Sequence, residues 1–144
     1  MLDSLNISAS GLTAQRFRMD IISENIANID TTRTESGGPY KRKMVVFTSK
    51  GQSNFKDILV NNLKEHEING GVEVSQIMDD ESEFKLVYDP EHPDADNNGY
   101  VSMPNVDTLK ETVDMMEAYR AYQANITALN TAKQMAVKAL EIGR

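Results

Sequence analysis

The side chains best able to do chemistry crowd into one stretch, Asp89 to Gly99, which holds Asp89, Glu91, His92, Asp94, Asp96, Asn97 and Asn98. From Asp94 it reads D-x-D-x-N-G, the opening of a calcium loop, in which oxygens at alternate positions wrap a hard cation while the glycine turns the chain. Val101 supplies the apolar position such loops carry. The twelfth position, which should offer a bidentate Glu, is Asn105, and Pro90 and Pro93 stand where a helix should enter. The spacing therefore favours a turn in which Asp and Asn side chains accept hydrogen bonds from nearby backbone amides. A soluble calcium-binding or adaptor module using the 94–105 loop is the alternative. His66 sits between Glu65 and Glu67, and His92 precedes Pro93; neither has a second histidine at ligand spacing. The absence of Cys removes thiolate metal sites, disulfides and a thiol nucleophile. No G-x-S-x-G is present, and the pairs Gly37-Gly38 and Gly70-Gly71 lack the lysine of a phosphate loop. The expectation is a non-enzyme with no catalytic, cofactor-binding or metal-ligating residues and no cofactor.

The elements that would position any site must come from 144 residues, enough for one domain of ordinary size. Hydrophobic residues make up 40% and aromatics 6%, with no Trp, so the core is modest and the apolar stripes call for partners to bury them. A net charge of −7 argues against a sequence-independent grip on nucleic-acid phosphates. The short basic run Lys41-Arg42-Lys43 reads as a solvated or interface patch. The N-terminus shows no basic region ahead of a compact apolar run, so no cleaved secretory signal is expected, and no apolar stretch reaches membrane-spanning length.

Helical periodicity marks both ends. Leu5, Leu12, Met19 and Ile26 recur every seven residues, joined later by Ile22 and Ile29, while Ser8, Ala9, Ser10, Gly11 and Ala14 form a small-residue face suited to close approach. Asn28, Asp30 and Thr31 stop this helix. A longer helix is expected from about Asn105 to Ile142, capped by Asn105 or by Thr108 with Glu111 in a capping box, and closed by Gly143. Its apolar row runs Val106, Leu109, Val113, Met116, Tyr119, Tyr122, Ile126 and Leu129. Between the helices, Tyr40 to Thr48, Val72 to Met78, Phe84 to Tyr88 and Tyr100-Val101 read as strands, with Val72, Val74 and Gln76 alternating against their neighbours; Phe55 to Leu63 reads as a short helix. The fold class is thus mainly α with a small β insert. The long N- and C-terminal helices pair as an antiparallel coiled coil. Residues 1–32 and 105–144 form one helical domain, and 33–104 form the β-rich insert.

Against that pattern, Ala27-Asn28-Ile29-Asp30-Thr31 resembles the A-N-x-x-T signature that closes the first helix of the axial protein family, the flagellar rod, hook and hook-associated proteins. Gly37 to Lys43 is similar to the insert entry of that family's proximal rod subunits. So are Val87 to Asp96, Gly99 to Val101 and Met103 to Val106, and Ala118 to Asn125 with Leu129 to Lys133 resembles the family's terminal helix. Glu83 departs from an expected proline and Asp107 from a common asparagine.

The resemblance implies a structural subunit of the bacterial flagellar basal-body rod, exported by the flagellar type III apparatus without signal cleavage and polymerising helically into drive shaft and export channel. It implies as partners FlgB-like, FlgF/FlgG-like and FliE-like rod proteins, further copies of the same chain, and the export apparatus, with no nucleic acid and no membrane span. The assembly interface expected from the two seams is Leu5, Leu12, Met19, Ile22, Ile26, Val113, Met116, Tyr119, Tyr122, Ile126 and Leu129, with Asn28 and Thr31 shaping the exit from the first helix.

Overall fold

The computed structural model describes residues 2–50 and 70–142. The short helix expected over Phe55 to Leu63, His66 and Gly143 lie outside the described residues. Among the described residues two long helices flank four short strands in sequence: α1 (Leu2–Ala27), β1 (Lys43–Ser49), β2 (Val72–Asp79), β3 (Lys85–Tyr88), β4 (Tyr100–Met103) and α2 (Thr108–Ile142). At 35 residues α2 is about 52 Å long at a rise of ~1.5 Å per residue. The architecture is mainly α with a small β insert, as the periodicity indicates.

The strands form two separate two-stranded sheets, β1 with β2 and β3 with β4. Bonds from Lys50 N to Gly71 O and from Asp80 N to Arg42 O tie opposite ends of the first pair, so it runs antiparallel. The second pair is antiparallel in the register Lys85↔Met103, Leu86↔Ser102, Val87↔Val101 and Tyr88↔Tyr100. The alternation expected along Val72 to Met78 does not become a buried face, because only Val74 is even half-buried in β2.

The chain divides into two compact units. One holds α1 as far as Phe17, the strand residues Val46 to Ser49 and Val72 to Gln76, and α2 from Ala118 onward. In it Ala14 and Ala132 are buried, and Gly11 lies so close to Asn125 that a Cβ there would meet the amide Nδ2 at 2.9 Å. The small-residue face of α1 thus admits a close neighbour. Ser10 Oγ accepts from Val72 N at 3.1 Å, and Gly71, at φ +144°, would drive a Cβ to 2.6 Å from that oxygen, so only glycine fits there.

The other unit holds α1 from Arg18, the chain on to Val45, and Ile77 to Glu117. Its apolar core is Ile21, Ile22, Tyr40, Val101, Pro104 and Val106. α1 ends where Asn28 Nδ2 donates back to Glu24 O at 2.9 Å and Thr31 N donates to Asn28 O at 3.1 Å. α2 starts differently from expectation. Its cap is neither Asn105 nor Thr108 but Asp107, whose Oδ1 accepts from Leu109 N at 2.9 Å and Lys110 N at 3.2 Å. Asn105 is unavailable because its side chain is committed elsewhere: Oδ1 accepts from Arg42 N at 2.8 Å while Nδ2 donates to Asp80 O and Ser82 O. The Lys110 and Leu109 N–H groups hold Asp107 below the ordinary carboxylate range.

Candidate assembly surface

The inward faces of the two helices in the second unit meet around charge rather than hydrocarbon. Helical spacing along α1 places Ile21, Ile22 and Asn25 inward, so Asn25 interrupts an apolar stripe with an amide. Asn25 is 0% exposed and fully employed: Nδ2 donates to Glu111 Oε2 at 3.1 Å and to Lys43 O at 2.9 Å, and Oδ1 accepts from Tyr40 Oη at 3.0 Å and Lys43 N at 2.9 Å. Glu111, also 0% exposed, receives Arg42 Nε on its other oxygen at 2.6 Å. Arg42, 7% exposed, reaches Asp114 at 3.2 Å and Asp80 at 3.6 Å, and Asp114 is shared with Arg18 at 3.2 Å. Both Glu111 oxygens therefore carry a bond, as a buried carboxylate requires.

This overturns two sequence readings. Lys41-Arg42-Lys43 is not a solvated patch: Lys41 alone is exposed, Arg42 is buried, and Lys43 pairs with Glu24. Glu111 does not close a capping box, because the buried guanidinium takes its carboxylate instead. The signal that could have found the cluster is a lone amide on an apolar helical stripe, with an Arg and a Glu close to strand and helix starts. Burial, and after it the nearby carboxylates of Glu24, Asp79 and Glu111, push the Tyr40 phenol up to about 12. Asp80 is held below the usual carboxylate range, chiefly by the backbone N–H and hydroxyl of Ser82 and then by Arg42.

The apolar row read along the second helix divides in the structure. Tyr122 and Leu129 are half-buried, on the side where Glu111, Ala118 and Ala132 are buried, seven residues apart or multiples of it. Val113, Met116, Tyr119 and Ile126 are exposed, as are Leu109, Met135, Val137 and Leu140. The inward row is built of small and polar residues, which a search for large hydrophobics passes over. In α1, Ile22 is buried, while Leu5, Leu12, Met19 and Ile26 are half-buried, as are Asn28 and Thr31, whose side chains are joined at 3.2 Å. α2 thus turns a row of large apolar side chains to solvent. An exposed set of this size on one helix is the mark of a surface that another protein covers.

The acidic loop closes on itself. Asp96 Oδ1 accepts from Asn98 N at 2.8 Å and Tyr100 N at 2.9 Å, Asp89 Oδ1 accepts from Glu91 N, and Asp94 accepts from Thr32 Oγ1 at 2.8 Å. The Asp96 and Asp89 bonds are the side-chain turns expected of the stretch, whereas Asp94 ties it to Thr32. No group of three or more His, Asp or Glu among the described residues is placed to hold a metal ion.

Comparison with known proteins decides the family. Residues 5–33 match the family model for flagella basal body rod proteins, and residues 97–142 match the model for the C-terminal region of flagellar basal body rod FlgEFG proteins. The flagellar basal-body rod protein FlgC of Bacillus subtilis is 53% identical over 98% of this chain and 97% of its own length. The chain belongs to the FlgC family of flagellar basal-body rod proteins. The FlgC proteins of Borreliella burgdorferi and Salmonella typhimurium are 44% and 40% identical, again over nearly the full length of both chains. As a member of this family the chain is a structural subunit of the flagellar basal-body rod. No helix among the described residues is long and apolar enough to cross a membrane.

Proposed function

We propose that the chain polymerises helically through its terminal helices, pairing them as an antiparallel coiled coil in the inner layer of the rod with residues 33–104 outside. The observation that carries this reading is the exposed apolar row of α2, from Leu109 through Val113, Met116, Tyr119 and Ile126 to Leu140. A monomer gains nothing by holding these side chains in water, whereas stacking against copies of itself and other rod proteins buries them. On α1 the half-buried Leu5, Leu12, Met19 and Ile26 extend this surface in the reading, with Tyr122 and Leu129 bridging the inner and outer faces of α2, while the buried Ile22 serves the subunit's own core. FlgB-like, FliE-like and FlgF/FlgG-like subunits are the heterologous neighbours in this reading, and delivery is by the flagellar export apparatus without a cleaved signal. The work is transmission of torque and enclosure of a channel, with no reaction catalysed.

The test replaces Leu12→Asp and Ile126→Asp separately in a flagellated host. Each variant is expected to remain out of assembled rods and to abolish swimming. Wild-type swimming by both variants would remove these helices from the assembly interface.

A further inference from the structure

We infer that the free edge of β3 is a docking site for an extended, lysine- or arginine-bearing segment of another protein, which adds to the β3–β4 ribbon as a third strand. Among the described residues β3 is an edge strand by topology, since its sheet contains only β4. The phase of its hydrogen bonding follows from the register. Asp89 N donates to Gly99 O at 2.9 Å, so the bonded pairs alternate back to Val87↔Val101 and Lys85↔Met103. The backbone groups of Leu86 and Tyr88 consequently point away from β4, along the open edge. The matching edge of β4 is closed at Tyr100, whose N–H and C=O are both taken by Asp96.

The side chains mark the same strand. Leu86 is 68% and Tyr88 65% exposed, and they share one face with Tyr100, whose ring lies edge-on to Tyr88 at 5.2 Å. The opposite face carries Val101, which is buried. The ribbon is thus apolar on both faces, and only the second is covered, at Val101 and not at Val87. Natural proteins usually blunt such an edge with a lysine, a proline or a covering loop. Here the one lysine of the strand, Lys85, donates to Val106 O at 2.8 Å and does not shield the edge.

Charge selects the occupant. Glu81 and Glu83 precede the strand, Asp89 and Glu91 follow it, and all four are exposed. From Asp79 to Asp107 the chain has nine acidic residues and Lys85 as its sole cation. A second copy of this ribbon placed edge to edge would bring like charges together, whereas a basic strand gains at both ends. Strand addition gives affinity through backbone bonds and selectivity through alternate side chains, so the fitting segment sets apolar residues against Leu86 and Tyr88 with Lys or Arg flanking them. This inference does not depend on how α1 and α2 assemble.

The test uses the full chain, isotopically labelled, and a synthetic eight-residue peptide alternating valine with lysine. Binding is expected to slow amide exchange at Leu86 and Tyr88 at least tenfold while leaving Lys85 and Val87 unchanged, because those two are already bonded to β4. Affinity is expected to fall several-fold between low and high salt. The same peptide with glutamate for lysine is expected not to bind. Leu86→Pro, which deletes one outward donor but no β3–β4 bond, is expected to weaken binding with the thermal midpoint retained. Unchanged exchange at Leu86 and Tyr88 with saturating peptide, equal binding of the acidic peptide, or protection that arises from the chain's own concentration would each overturn the proposal.

Discussion

Arg42→Met removes the one cation that touches the Glu111 carboxylate among the described residues, and leaves that carboxylate with Asn25 alone in a site with no exposure. A carboxylate stranded in this way is expected to take up a proton. Holding a glutamic acid neutral at pH 7, starting from a solution value of ~4.3, costs about 3.7 kcal/mol, which caps the electrostatic part of the loss. At pH 5 the same neutralisation costs only about 1 kcal/mol. Methionine fills much of the arginine stem's volume, so the packing term is small by comparison. Arg42→Met is therefore expected to lose about 3–4 kcal/mol at pH 7, in line with the ~3–5 kcal/mol typical of breaking a buried pair, and much less at pH 5. Glu111→Gln should cost less at pH 7, because Arg42 keeps Asp114 and Asp80 and the amide can still meet Asn25. Urea unfolding of the parent, both single variants and the double variant at pH 7 and pH 5 measures all of this. The double variant is expected to be more stable than Arg42→Met at pH 7, since it has no stranded charge. A loss below about 1 kcal/mol for Arg42→Met at pH 7, or a loss that does not shrink at pH 5, would refute the reasoning.

Other expectations follow from single sites. Asp107→Ala should lower the thermal midpoint and Asp107→Asn should largely restore it, because either side-chain oxygen can accept the Leu109 and Lys110 amides. Since the folded-state value of Asp107 is depressed, its contribution is present above the unfolded carboxyl's titration and fades as pH falls through the folded one, so the Ala variant and the parent should converge in acid. In an absorbance titration of the five tyrosines, one phenol should titrate late, at about 12, and Tyr40→Phe should abolish that step. Gly99→Ala should cost about 1–2 kcal/mol from its φ of +79° alone, with a further loss because the Cβ would sit 3.0 Å from the Tyr88 ring; equilibrium unfolding gives the sum.

The sequence disclosed the elements better than it disclosed their inner faces. Both long helices and four of the strand assignments follow from periodicity and turn residues, and the Asp96 turn is the one its Asp-Asn-Asn-Gly spacing requires. What periodicity could not show is that large hydrophobics along the second helix face water while Glu111, Ala118 and Ala132 face in. Periodicity of large side chains assumes that burial follows apolarity, and a core closed by Arg42, Glu111 and Asn25 breaks that assumption locally. The cap failed for a related reason: Asn105 and Asp107 are equally good caps by residue type, and only the tertiary position of Arg42 and Ser82 assigns Asn105 to other work. Of the expected interface residues, the exposed and half-buried ones are distinguishable only once both helices are in place.

The smallness of the apolar core reaches beyond the folded state. Among the described residues its buried apolar side chains are Ala14, Ile21, Ile22, Tyr40, Val101, Pro104, Val106, Ala118 and Ala132, three of them alanine. Unfolding returns charged groups to water gladly and uncovers little hydrocarbon, so its heat-capacity increment should fall below the usual ~12–15 cal/mol/K per residue. The stability curve is then shallow and broad, with little variation between cool and warm surroundings.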